Sequence, residues 1–256
     1  MSKIEIRNVS KKFQLNRNRS LSALEDICLT IPSGQFVAVI GPSGCGKSTL
    51  LHLVAALQPV SSGSILIDGE SPQALRQKHL LGVAFQDHAL LPWLTVESNI
   101  ALPFRIAERP VDANRVRALI RLVGLEGFEQ AQPRQLSGGM RQRAAIARSL
   151  CLDPMLLLLD EPFAALDAVT RRVMNIELQR VWLEKQLTTI LVTHSVEEAV
   201  FLADRIVVLS GRPGHVTEIL DIPFHRPRVA ECTRKDEFHR LIDHLTELLE
   251  PVKGGE

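Results

Sequence analysis

The sequence predicts an α/β protein: a parallel sheet flanked by helices, an N-terminal antiparallel β subdomain and an inserted α-helical subdomain. Gln35 to Ile40, Leu80 to Phe85, Met155 to Leu159, Thr188 to Thr193 and Arg205 to Leu209 are near-continuous apolar runs, the pattern of strands buried on both faces. Helical stretches separate them, as crossover connections between parallel strands require. Ile4 to Val9, Ile27 to Ile31 and Ser64 to Ile67 are shorter and alternate apolar with polar residues, which suits an antiparallel sheet with one wet face.

Bulk properties narrow the function classes. The chain has 256 residues, enough for one or two domains and a large core. Its net charge is +1 and no basic run is long, which argues against a nucleic-acid partner held by charge. Cys28, Cys45, Cys151 and Cys232 are far apart with no Cys-x-x-Cys pair, so they read as reduced cysteines of a cytosolic protein. The N-terminal MSKIEIRNVS has no apolar signal core, and no stretch approaches the roughly 20 apolar residues of a membrane span. Work at a membrane would need another chain for the crossing.

In chain order, polar residues 16–20 are expected to form a loop between the first two strands. Phe13, just past the first, can stack on a purine or serve as a packing aromatic. Asp68-Gly69 supplies a turn after the third. Between them lies Gly41-Pro42-Ser43-Gly44-Cys45-Gly46-Lys47-Ser48-Thr49, which has the P-loop spacing and sits between an apolar strand and a helix reading from Thr49 to Leu57. Glycines let main-chain N–H groups curl inward around an anion, and the helix start adds its own. Lys47 can reach the outer phosphates of a nucleotide, and the Ser48 hydroxyl can ligate Mg²⁺.

Residues 87–150 contain no strongly β-patterned run and read as the helical insertion. Asp112 caps a helix carrying Val116, Leu119, Ile120 and Val123, and Gly124 ends it. Ser137, Gly138, Gly139 and Met140 open another helix and form a second anion cradle. One nucleotide does not need two cradles, so this one is expected to face the nucleotide of another copy of the chain. The apolar run to Leu159 aims Asp160 and Glu161 at the P-loop, Asp160 to hold Mg²⁺ and Glu161 to take a proton from an attacking water. Val169 to Lys185 is helical with Val169, Val173, Ile176 and Leu183 on one stripe. Phe238, Leu241, Ile242, Leu245 and Leu248 repeat at helix spacing in a tail that packs on the core or on a partner. The expected division is a nucleotide-binding domain over 2–230, with core 2–86 and 151–230 and helical subdomain 87–150, and a helical tail over 231–256.

These motifs, in this order, resemble those of the nucleotide-binding subunit of an ATP-binding cassette (ABC) transporter, a P-loop NTPase with a RecA-like core. By that resemblance Gly41 to Thr49 bind ATP, Phe13 stacks on adenine, and Gln86 is the Q-loop residue that contacts the metal and leads into the insertion. Ser137 to Met140 match the signature motif, with Met where Gln is usual. Asp167, in Ala165-Leu166-Asp167, matches the D-loop that touches the other subunit, and His194 matches the switch histidine between γ-phosphate and water. His52, His79, His88, His215, His225, His239 and His244 receive no role. The resemblance implies ATP and Mg²⁺ as cofactors. It also implies a homodimer on the cytoplasmic face of the plasma membrane, membrane permease subunits and, indirectly, a substrate-binding protein. His88 to Trp93, Gly211 to Gly214 and His225 to Arg228 resemble an importer branch for nitrate, sulfonates, taurine and bicarbonate, with Leu90, Leu91 and Trp93 as exposed apolar candidates for the permease contact. The alternatives are a P-loop small-molecule kinase and a non-transport ABC ATPase.

Overall fold

The computed structural model describes residues 2–16, 19–164 and 166–250. Its central strand is β3 (Phe36–Ile40), buried at every position because helices or a second sheet cover both faces. Around it the main sheet has six strands in the order β5 (Leu81–Ala84), β6 (Leu156–Asp160), β7 (Thr188–Val192), β3, β8 (Arg205–Leu209), β9 (Val216–Asp221). All neighbours are parallel except β8 and β9. The edge strand β9 escapes the sequence reading because its burial alternates and Thr217 and Glu218 interrupt any apolar run.

Side chains of a strand alternate between faces, and the core divides accordingly. Phe36, Ala38 and Ile40 join one cluster with α6 (Ala168–Lys185) and α7 (Val196–Leu202). Val37 and Val39 join the other with α1 (Lys47–Val54) and the three-stranded antiparallel sheet β2–β1–β4. Here β1 is Ile4–Asn16, β2 Arg19–Ile31 and β4 Ser62–Ile67. The β1–β2 hairpin is longer than its apolar alternation suggested. Cross-strand pairing continues through Phe13 opposite Leu21 to Asn16 opposite Arg19. Phe13 therefore sits within a strand, as do Asn16, Arg19 and Ser20 of the expected loop; residues 17 and 18 lie outside the described residues.

After β4 comes the short α2 (Pro72–Gln77), and between β5 and β6 lie α3 (Val96–Ile106), α4 (Ala113–Leu122) and α5 (Gly138–Ser149). Their starts are capped as the residue types demand: Thr95, Asp112 and Ser137 accept from the N–H groups of Ser98, Arg115 and Met140 at 3.2, 3.0 and 3.2 Å. Val116, Leu119, Ile120 and Val123 are buried as their spacing predicts, and Gly124 takes φ 63°. Buried Asn99 ties this layer to the segment after β5. It accepts from Leu91 N at 2.8 Å and donates to the carbonyls of Leu91 and Leu94, each at 3.1 Å.

Two expectations about helix faces need correction. On α6, Val169, Val173 and Ile176 are 75%, 55% and 42% exposed; the buried face carries Met174, Leu178, Val181 and Trp182. Both rows have helical spacing, and the bulkier one wins because Trp182 fills the space against Phe36, their ring centroids 6.0 Å apart. In the tail, α8 (Asp236–Leu249) buries Phe238 and Leu245 against the core, while Leu248 stays exposed.

The His225-Arg-Pro-Arg228 motif is structural in this chain. Arg226 pairs with Asp204 at 2.8 Å and lies 4.2 Å from the Trp182 ring. Arg228 is buried, and its Nη1 donates to the carbonyls of Val200, Phe201 and Ala203 at 3.1, 3.0 and 2.7 Å, closing the end of α7. Burial pushes its pKa down to about 10, which leaves it charged near neutrality. Arg228→Met should cost about 3–5 kcal/mol, the loss expected when buried acceptors are left without their cation. A urea titration that kept its midpoint would contradict this.

Candidate active site

The P-loop is shaped by close approaches that only glycine permits. Gly46 has φ 104°, and a Cβ there would lie 2.7 Å from Leu24 Cδ2 and 2.9 Å from Ala23 O. Gly44 also has positive φ, 75°. The following helix, α1, starts with no side-chain cap at Gly46, so its first-turn N–H groups lack that partner. Lys47, only 7% exposed, folds back so that Nζ donates to Gly41 O at 2.8 Å and Pro42 O at 3.0 Å. A buried ammonium bonded to neutral carbonyls beside open N–H donors fits a polyphosphate. The cleft, about 320 Å³, is bounded by the P-loop, the start of α1, Phe13, Leu21, Ala23, Glu161 and Arg212.

β6 delivers the carboxylates. Ser48 Oγ donates to Asp160 Oδ1 at 2.9 Å. Burial raises the Asp160 carboxyl above its ordinary range, opposed by the Ser48 hydrogen bond and the nearby His52. A buried carboxylate beside a hydroxyl is a donor set that a hard divalent cation suits. Glu161 takes φ 44°, an uncommon value for a side-chain-bearing residue, and its N–H is fixed on Val192 O at 2.8 Å. The result is that Glu161 Oε2 lies 3.1 Å from His194 Nδ1. His194 follows β7 and is half exposed.

The histidine loop has a buried support. Ser195 N donates to Thr193 Oγ1 at 3.0 Å, and Thr193 donates in turn to Glu198 Oε2. Burial pushes the Glu198 carboxyl up to about 7. Glu198 escaped the sequence reading because nothing local marks a helix glutamate as buried. His52 was missed as well, although a signal existed: it is four residues after Ser48, hence on the same helix face, and its Nε2 lies 3.9 Å from Asp160 Oδ2. Arg212 had no local signal; only the fold brings it to the cleft.

Other expected residues lie elsewhere. Gln86 is exposed on the segment after β5, and no hydrogen bond joins it to the cleft among the described residues. Ser137 is exposed, and none of Ser137 to Met140 lines the cleft. Asp167 caps α6, accepting from Val169 N and Thr170 N at 3.0 and 2.9 Å, and the Thr170 hydroxyl, with those N–H bonds, holds its carboxyl below the usual range. Ala165 lies outside the described residues. Trp93 is 68% exposed, as expected of a contact residue, but Leu90 packs against the main core and Leu91 is half buried, because Asn99 holds that segment down.

A family model described as ABC transporter matches residues 24–164. The chain belongs to the ABC transporter family. This ABC ATPase is 44% identical over 230 residues to an aliphatic sulfonates import ATP-binding protein, SsuB, of Bacillus cereus, covering 89% of this chain and 90% of the relative. It is 43% identical over 219 residues to a nitrate import ATP-binding protein, NrtD, of Synechococcus elongatus, covering 84% and 79% respectively. A solved dimeric structure of a bacterial ABC transporter cassette matches with TM-score 0.75 and 31% identity, covering 87% of this chain and 100% of that one. A second solved structure of that cassette, in a post-hydrolysis state bound to ADP and Pi, matches equally well at TM-score 0.75. ATP is the nucleotide of this family's ATP-binding subunits and its hydrolysis their reaction, so the P-loop cleft belongs to an ATPase rather than to a kinase. Among the described residues no helix is long and apolar enough to cross a membrane.

Proposed function

We propose that this chain is the ATP-hydrolysing subunit that powers import of a small nutrient of the nitrate, sulfonate and taurine class. The observation that carries the ATPase half is a cleft lined by Lys47, Ser48 and Glu161, with His194 3.1 Å from Glu161, and not by the exposed signature cradle. Two chains then pack head to tail, and each ATP lies between Lys47 of one and Ser137 of the other. Phe13, half buried at the cleft, stacks on the adenine. Glu161 accepts a proton from water while the water oxygen attacks the γ-phosphorus and the bond to the β-phosphate oxygen breaks, releasing ADP and phosphate. His194, held by Glu161, orients the water and the γ-phosphate. Mg²⁺ would be held by Ser48 and Asp160, joined by Gln86 when the segment after β5 moves toward the cleft, and when bound it supplies charge neutralisation at the phosphates.

Loss of the γ-phosphate removes what both cradles grip, and the dimer opens. The α3–α5 layer moves with it, and Trp93 passes the motion to a permease subunit on the cytoplasmic face of the membrane. Asp167, at the start of α6, touches the other copy. A substrate-binding protein delivers the cargo to the permease without touching this chain. The nutrient class is supported by relatives in sulfonate and nitrate import at 44% and 43% identity. The test is reconstitution in liposomes with a permease that co-purifies with this chain, followed by ATP-driven uptake of an aliphatic sulfonate or nitrate. Uptake of either supports the reading; an assembled, ATP-hydrolysing complex that moves neither overturns the nutrient class.

A further inference from the structure

We propose that Arg212 is a second cation of the nucleotide site, its guanidinium bonding the polyphosphate of ATP alongside Lys47. This rests on the ATP-site reading above and extends it to a residue that reading does not use. Arg212 lies on the turn from β8 to β9 and lines the same cleft as Lys47, Ser48 and Phe13. Its Nε donates to Gly44 O at 3.2 Å, so the guanidinium rests on the phosphate loop itself. A Cβ at Gly44 would lie 3.2 Å from its Nη2, so glycine there leaves room for the arginine head.

The turn that carries Arg212 is fastened to the site. Gly214 N donates to Ala23 O at 3.0 Å, and Glu25 N donates to Gly214 O at 2.9 Å. A Cβ at Gly214 would lie only 2.0 Å from Cys45 O, which measures how closely turn and P-loop pack. Within the turn, Ser210 Oγ accepts from His215 N at 3.0 Å and donates to Pro213 O at 3.2 Å.

Charge supplies the second half of the argument. The arginines before and after it in the chain are neutralised: Arg205 by Asp221 at 2.7 Å and Arg226 by Asp204 at 2.8 Å. Among the described residues no carboxylate forms an ion pair with Arg212, and Glu161, the acid lining the same cleft, is paired with His194. An arginine anchored through Nε keeps donors on both terminal nitrogens, and such a fork suits phosphate oxygens. The competing arrangement, a guanidinium lying flat on the adenine, is separated by the test.

The test is competition of ATP, ADP and AMP against a fluorescent adenine nucleotide on the purified full chain. Arg212→Gln should weaken ATP and ADP by about 10-fold or more, the size of a lost charge-assisted bond, and AMP by no more than about twofold. Arg212→Lys should fall between, since it keeps charge but loses the fork. Equal weakening of all three nucleotides would assign the residue to base or sugar and overturn the proposal, as would ATP binding by Arg212→Gln within about twofold of the parent. Lys47→Ala serves as the control: if it binds ATP as well as the parent, the ATP-site reading fails and this proposal falls with it, whereas an adverse Arg212 result beside a defective Lys47→Ala overturns the proposal alone. Thermal unfolding without nucleotide separates a disturbed turn from a lost contact. Where Arg212→Gln unfolds early, Arg212→Lys carries the comparison.

Discussion

Glu161→Gln is expected to cut ATP turnover by roughly 10²–10⁴ while ATP still binds, and to trap a closed, ATP-filled dimer. The amide has nearly the shape of the carboxylate but cannot take a proton at neutral pH, so the substitution removes the chemistry and little else. Geometry makes the residue hard to replace. Its left-handed φ of 44° and the bond from its N–H to Val192 O aim one side chain at His194 and the cleft. No other carboxylate lines the cleft among the described residues, and Asp160 is committed to Ser48 at 2.9 Å. The measurement is single-turnover hydrolysis beside size-exclusion chromatography with ATP. Turnover near the parent rate would take Glu161 out of the role and leave proton transfer to solvent or to His194. Slow turnover without a trapped dimer would separate the chemical step from the coupling between copies.

What the sequence revealed of this site, and what it hid, divides along chain locality. The P-loop was legible because one short segment holds the glycines, Lys47 and Ser48, and the strand before it carries its own apolar pattern. Asp160 and Glu161 were legible for the same reason: they end an apolar strand whose direction fixes where they point. His194 needed the family resemblance, since a histidine after a strand has no intrinsic chemistry, and the structure then sets it 3.1 Å from Glu161. Arg212 and Glu198 depend on which loops the sheet order brings together. β8 lies beside β3, so the turn after β8 reaches the loop after β3, and no window along the chain contains that fact. The same limit misled the reading of α6. A stripe of Val169, Val173 and Ile176 is a valid helical face, but only packing decides between it and the face that seats Trp182 on Phe36. Leu90 and Leu91 were expected outside because nothing nearby in sequence shows that Asn99 would bind their segment.

Ser137→Arg should abolish hydrolysis and yet spare ATP binding to the single chain. The two effects separate because Ser137 is exposed at the start of α5 and does not line the cleft that Lys47 occupies. Loss of its cap on Met140 N costs about 1 kcal/mol, too little to unfold a domain with so large a core. What an arginine there does is fill the cradle made by Gly138 and Gly139, so a γ-phosphate offered by another chain finds no seat. Lys47→Ala should be equally inactive for the opposite reason, because it loses its own ATP. Mixed dimers expose the geometry. When one chain carries Ser137→Arg and the other Lys47→Ala, one composite site holds both changes and the other holds none. Mixing the two inactive proteins should therefore restore activity, up to roughly a quarter of the parent value if dimers form at random and sites act independently. A cradle acting on its own chain's nucleotide would leave every site damaged, and the mixture would stay silent. If Ser137→Arg alone lowered ATP affinity as much as Lys47→Ala does, both cradles would belong to one nucleotide, and the two-copy arrangement would have to be abandoned.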